Sequence, residues 1–252
     1  MSVLEICNLE KIYDGKIPHT ALNNINLNIQ EGEFVAIMGP SGSGKSTLLN
    51  LISTIDSPSS GHVKINGQNP HTLNEEELAS FRRNTLGFVF QNFNLINTLT
   101  VEENIMLPLT LENVSIKEMK VRTREIARLL GIQELLQKIT YEISGGQAQR
   151  VSIARATIQN PKLLLADEPT GNLDSKAAKD VMQLFSMLNT EKKSTILMVT
   201  HDSYVASFCQ KVFIIKDGQL YQQLLNNGNA MQFQQKIIDS MTLLGGDARE
   251  LI

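Results

Sequence analysis

The nine residues GPSGSGKST, Gly39 to Thr47, constrain the fold more than any other stretch of this chain. They fit G-x-x-x-x-G-K-[ST], follow a short apolar run from Phe34 to Met38, and precede the apolar helical pattern STLLNLIST. Gly39, Gly42 and Gly44 permit backbone conformations and a close approach that side chains would block, so successive N–H groups can point at one anion. A helix starting near Lys45 adds its positive end to the same point. The concavity suits a phosphate chain, with Pro40, Ser41, Ser43 and Thr47 completing the cradle. Lys45 is placed to reach the β- and γ-phosphates, and Ser46 to offer its hydroxyl to Mg²⁺. The plain alternative, a flexible Gly/Ser loop, leaves the strand before and the helix after unused.

LLLADEP supplies a complementary half. Leu163 to Ala166 read as an apolar strand whose end delivers Asp167, placed to hold Mg²⁺ through its water shell. Glu168 follows and can face the γ-phosphate, to orient or deprotonate an attacking water. Alone, these would be two solvated acids at a strand end. A second glycine loop, ISGGQAQR, has no lysine, and the helical pattern VSIARAT follows it. Ser144, Gly145 and Gly146 therefore sit where amides at a helix start can meet an anion, although for S-G-G taken alone a plain N-cap by Ser144 is the better explanation.

Around these loops the chain divides by period. Val3 to Ile12 and Ala21 to Ile29 alternate as strands, and SPSSGHVKING reads as a turn, a strand and a tight turn at Asn66 and Gly67. From Asn74 to about Ile139 the spacing is helical. Met119, Ile126, Leu129, Leu130, Leu135 and Leu136 are expected on one helix face there. The apolar segment Phe88 to Phe90 reads as a strand just before Gln91. Two α/β units follow, KLLLAD with SKAAKDVMQLFSMLNT and then STILMVT with KVFIIKDG, and their continuous apolar runs suit a mostly parallel sheet covered on both faces.

Composition narrows the functions. With 252 residues, 42% of them hydrophobic and 19% charged, the chain can bury a substantial core. Its net charge of -3 argues against a long nucleic-acid footprint, so no nucleic-acid partner is expected. The start MSVLEICNLEK lacks a signal-peptide pattern, no apolar run nears the ~20 residues a membrane span needs, and Cys7 and Cys209 read as reduced packing residues of a cytosolic protein.

The order phosphate loop, glutamine region, S-G-G-Q, then the aspartate–glutamate strand resembles the ATP-binding subunit of ABC transporters over nearly the whole chain. The resemblance implies an α/β fold: a P-loop NTPase core with a mostly parallel sheet flanked by helices, an antiparallel β subdomain, and a helical insert at about 92–145. The ATPase domain would span 1–230 and a helical tail 231–252. It implies an ATP hydrolase acting as a head-to-tail dimer, in which Ser144, Gly145, Gly146 and Gln147 bind the γ-phosphate of the ATP held by a second copy. Tyr13 matches the aromatic that stacks on adenine. Gln91 matches the glutamine that contacts Mg²⁺ and the water, His201 the histidine that contacts the γ-phosphate and positions Glu168, and Asp174 a loop that crosses the dimer interface. Ile143 stands where the family usually has leucine.

LTVEENIMLPL and LLADEPTGNLDSK resemble the group of macrolide, lipoprotein and peptide-antibiotic transport ATPases. The tail MQFQQKIIDSMTLLGGDARELI is similar to that of bacterial ATPases paired with bacitracin- and lantibiotic-resistance permeases. That similarity implies an integral membrane permease as partner, a sensor histidine kinase reached through it, and a cytoplasmic location on the inner face of the membrane. Rival readings are a macrolide- or lipoprotein-type transporter, a soluble ABC ATPase of translation or DNA repair, and a small-molecule kinase, which would leave S-G-G-Q without a task.

Overall fold

The computed structural model describes residues 1–112 and 114–245. In chain order the elements are β1 (Ser2–Tyr13), β2 (His19–Gln30), β3 (Phe34–Met38), α1 (Lys45–Ile52), β4 (Ser60–Ile65), α2 (Glu75–Thr85), β5 (Leu86–Val89), α3 (Val101–Thr110), α4 (Ile116–Leu129), α5 (Gly145–Thr157), β6 (Leu163–Asp167), α6 (Ser175–Lys192), β7 (Ile196–Val199), α7 (Ser203–Ala206), β8 (Lys211–Lys216), β9 (Gln219–Leu225) and α8 (Ala230–Leu243). They form two sheets. An antiparallel one has the order β2-β1-β4, and a six-stranded one the order β5-β6-β7-β3-β8-β9, parallel except for β9.

The apolar strands explain the layering. Side chains alternate across a sheet, so Phe34, Ala36, Met38, Leu164, Ala166, Ile196 and Met198 enter one core with residues of α3, α5, α6 and α8. Val35, Ile37, Leu163, Leu165, Leu197 and Val199 enter a second, shared with α1 and the antiparallel sheet. A strand with cores on both faces has no polar face to keep, which is why these runs lack a polar alternation. Phe233, Ile237, Met241 and Leu244 of the C-terminal segment join the first core, whereas Ile238 is only half-buried. The last part of the expected tail, 246–252, lies outside the described residues.

Helix starts follow capping chemistry. Asn74 with Glu77, Thr100 with Glu103 and Ser144 with Gln147 each form a reciprocal capping box. Three expectations are corrected. The apolar positions from Met119 to Leu136 do not lie on one helix: α4 stops at Leu129, Gly131 takes φ 65°, and Leu135 ends a separate 3₁₀ turn, Gln133–Leu135, that Leu136 caps. β5 ends at Val89, so Phe90 lies beyond the strand, where its carbonyl accepts from the Phe93 amide and its ring stacks on Phe88 at 4.1 Å. The edge strand β9, QLYQQLL, was not expected from its polar sequence; only an edge position tolerates it, because one side of the strand needs no partner.

Candidate active site

Neighbouring strands β6, β7 and β3 end on the same edge of the sheet, and their carboxyl ends bring the motifs together. The loop Gly39–Gly44 leaves β3, Asp167 ends β6, and His201 follows β7. The phosphate loop is wedged against its surroundings: a Cβ on Gly39 would fall 2.1 Å from the Ile215 carbonyl oxygen, and one on Gly44 2.6 Å from that of Ala21. Helix α1 starts after Gly44 with no side-chain cap, so its first amides have no local acceptor from that residue. Ser43 Oγ is buried without a hydrogen-bond partner among the described residues. Lys45 Nζ donates to the carbonyls of Gly39 and Pro40, both at 2.8 Å, arching over the loop. Ser41, Gly42 and Ser46 are exposed, and Pro40 and Thr47 half-buried. Uncapped amides, a loop of close backbone and a lysine at its rim are what a polyphosphate requires.

Glu168 has a left-handed backbone, φ 42°, which is strained for a non-glycine residue. That conformation turns its side chain to His201, whose Nδ1 lies 2.8 Å from Glu168 Oε1. Thr200 also hydrogen-bonds the carboxylate. Burial pushes the Glu168 carboxyl above its usual range, against the opposing pull of the His201 contact. Burial raises Asp167 too, offset in part by the nearby positive charge of Lys45. An ionisable carboxylate with a raised pKa beside an exposed imidazole is suited to proton transfer.

Gln91 follows Phe90, its side chain lying over Gly171, where a Cβ would fall 2.7 Å from Nε2. Asn172 Nδ2 donates to the Gln91 carbonyl at 3.1 Å and to Asn92 Oδ1 at 2.7 Å, so the turn after Glu168 holds the glutamine loop. Ser46, Gln91 and Asp167 offer oxygen donors of the hard kind Mg²⁺ takes.

The second glycine loop behaves differently. Ser144 accepts from the Gln147 amide while Gln147 Oε1 accepts from that of Ser144, so both side chains cap α5. The atoms nearest to a Cβ at Gly145 belong to Leu173, Phe93 and Asn172, and at Gly146 the nearest is Ala177 Cβ at 3.0 Å. None of these belongs to the phosphate loop. Asp174 Oδ1 accepts from Lys176 and Ala177, capping α6.

Tyr13 is 40% exposed, with its hydroxyl on Asp56 Oδ2 at 2.9 Å and the Lys11 ammonium 4.8 Å from its ring centre. Lys11 also pairs with Asp56 at 2.6 Å. Sequence reasoning missed Lys11, Asp56, Thr200 and Asn172: Thr200 and Asn172 lie inside stretches singled out above, Lys11 and Asp56 outside them, and all four act through contacts between residues far apart in the chain.

The sequence profile of the family described as ABC transporter matches residues 22–171. The chain is 54% identical over 250 residues to the ABC transporter ATP-binding protein YxdL of Bacillus subtilis (strain 168), covering 99% of this chain and 97% of that protein. It is 47% identical over 248 residues to the bacitracin export ATP-binding protein BceA of Halalkalibacterium halodurans, covering 98% of each. Among solved structures, the dimeric post-hydrolysis state of the ATP-binding cassette MJ0796 of Methanocaldococcus jannaschii, bound to ADP and Pi, matches with TM-score 0.81 and 43% identity over 90% of this chain and 100% of that one. With the phosphate loop, the glutamate–histidine pair and the S-G-G-Q helix start on one scaffold, the chain belongs to the ABC transporter family and is an ATP hydrolase of it.

Proposed function

We propose that two copies of this chain, packed head to tail, clamp two ATP molecules and drive an integral membrane permease that protects a bacterium from envelope-directed antimicrobial peptides of the bacitracin or lantibiotic type. In each site Tyr13 stacks on adenine, and the Gly39–Thr47 loop and Lys45 hold the phosphates. Ser46, Gln91 and Asp167 hold Mg²⁺, which when bound neutralises phosphate charge. Ser144, Gly145, Gly146 and Gln147 of the other copy complete the site, with Asp174 at the seam. Gln91 orients a water and Glu168, steadied by His201, takes its proton. The water oxygen bonds to the γ-phosphorus as the bond to the bridging oxygen breaks, and its electron pair leaves with ADP. The resulting charges favour reopening.

The observation that carries this reading is the 2.8 Å contact between His201 and Glu168 at strand ends beside the phosphate loop. The peptide cargo is supported by the relative named for bacitracin export, whose match extends over 98% of this chain and so reaches into α8. A cavity of about 530 Å³, lined by Phe88, Phe90, Leu107 and Pro108 beside Gln91, supports docking of the permease there. A sensor kinase would be engaged through that permease. In this reading the permease supplies the attachment to the inner face; among the described residues no helix is long and apolar enough to cross a membrane.

Glu168→Gln is expected to bind ATP, to accumulate as a dimer on size-exclusion chromatography, and to lose about 10²-fold or more in phosphate release. Hydrolysis at the parent rate would remove the base assignment. Disrupting the gene is expected to sensitise its host to envelope-directed peptides but not to macrolides. The opposite pattern would reassign the cargo.

A further inference from the structure

Gln149, the fifth residue of α5 after the Ser144 cap, is fully buried, and both hydrogen bonds its side chain makes run to backbone outside its own helix. Its Nε2 donates to the Pro169 carbonyl at 2.6 Å and to the Phe90 carbonyl at 3.4 Å. Both partners are acceptors only, so the amide nitrogen must face them. Its Oε1, by consequence, is buried without a partner among the described residues. An apolar side chain of the same size would avoid that unsatisfied acceptor, so the amide's use lies in its donors.

The two carbonyls are informative. Pro169 follows Glu168, and Phe90 precedes Gln91. The hydrogen-bonded register of β5 and β6 runs as far as Val89 opposite Ala166. Past that pair the two backbones are no longer joined as strands, yet both continue directly into the residues assigned to hydrolysis. We propose that Gln149 is a positioning residue that extends the cross-link beyond the end of the ladder and fixes the spacing between Gln91 and Glu168. Because it stands on α5, the helix whose start is Ser144–Gly146, the spacing is set by the same rigid element that faces the second nucleotide. Asn172 closes the other side of the arrangement by its bond to the Gln91 carbonyl. Gln149 touches no nucleotide in this scheme; it acts through the two loops. The proposal rests on the roles given above to Gln91 and Glu168.

The test compares full-length Gln149→Met, Gln149→Glu and Glu168→Gln with the parent by steady-state hydrolysis against ATP concentration, binding of a fluorescent ATP analogue, and thermal unfolding. Gln149→Met keeps the volume and removes the donors. Its kcat is expected to fall about tenfold, with KM and analogue affinity changed less than about twofold and Tm nearly unchanged. Gln149→Glu places an acceptor against two carbonyls, and protonation restores one donor. Its kcat relative to the parent is therefore expected to rise as pH falls, a readout that loss of packing would not produce. Parent kcat in Gln149→Met overturns the proposal. So does a Gln149→Glu ratio that is flat with pH, which also decides the matter if the methionine variant fails to fold. Failure of this proposal alone appears as normal Gln149→Met turnover beside an inactive Glu168→Gln. Normal turnover by Glu168→Gln would instead remove the base assignment on which both depend.

Discussion

Glu168 is held in a costly state that suits the role of base proposed for it. Its backbone is left-handed, and its carboxyl is buried enough to favour the proton, yet His201 and Thr200 hydrogen-bond the charged form. As the proposed base it would work only when ionised, so the acid limb of the kcat–pH profile is expected above that of an ordinary glutamate. The His201 contact lowers the Glu168 pKa, so His201→Ala should move this limb to higher pH besides reducing the rate; a limb that stays in place would show that the contact does not tune the base. Because folding raises the Glu168 carboxyl, its contribution to stability is fully present below the unfolded pKa and is lost as pH rises through the folded value. Gly171 offers a sharper steric test. Its Cβ in Gly171→Ala would meet Gln91 Nε2 at 2.7 Å, and only the end of that flexible side chain has to move. Turnover is expected to fall about tenfold with Tm almost unaltered, measured by phosphate release and thermal unfolding.

At the scale of elements, α5 carries two separable tasks. Ser144 caps the helix, and the same hydroxyl faces the neighbouring nucleotide in the proposed dimer. Ser144→Ala should therefore lower the unfolding free energy by about 1 kcal/mol in urea titration of the nucleotide-free protein, the ordinary cost of a lost cap. Its loss of hydrolysis should be larger than that stability change explains. Equal losses in both would leave capping as the whole role of the serine. The glycines after it are similarly double. Gly146 lets α5 and α6 approach, since a Cβ there would lie 3.0 Å from Ala177 Cβ. Packing within one copy thus accounts for part of a motif that the family resemblance presents as an anion site.

For the whole molecule, reciprocity has a kinetic signature. If each nucleotide is completed by the partner's S-G-G-Q, specific activity must rise with protein concentration and fall on dilution. Activity per chain that stays constant over a hundredfold dilution into the monomer range, measured with sedimentation, would refute the paired site.

What the amino-acid order determined by itself were features that depend on neighbours along the chain. The phosphate loop between β3 and α1, the cap at Ser144, the doubly buried strands and most helix starts follow from local backbone geometry and period, which a short run of consecutive residues encodes. Folding in three dimensions decided the rest. The polar segment Gln219–Leu225 becomes a strand by pairing with β8, and β5 stops before Phe90, whereas the helix stop at Gly131 is a local glycine signal that the apolar spacing around it obscured. Lys11 meets Asp56 from 45 positions away, and Gln149 reaches Phe90 from 59. Such bonds come from how sheet and helices pack against one another, and a polar side chain carries no mark in sequence of which distant carbonyl it will satisfy.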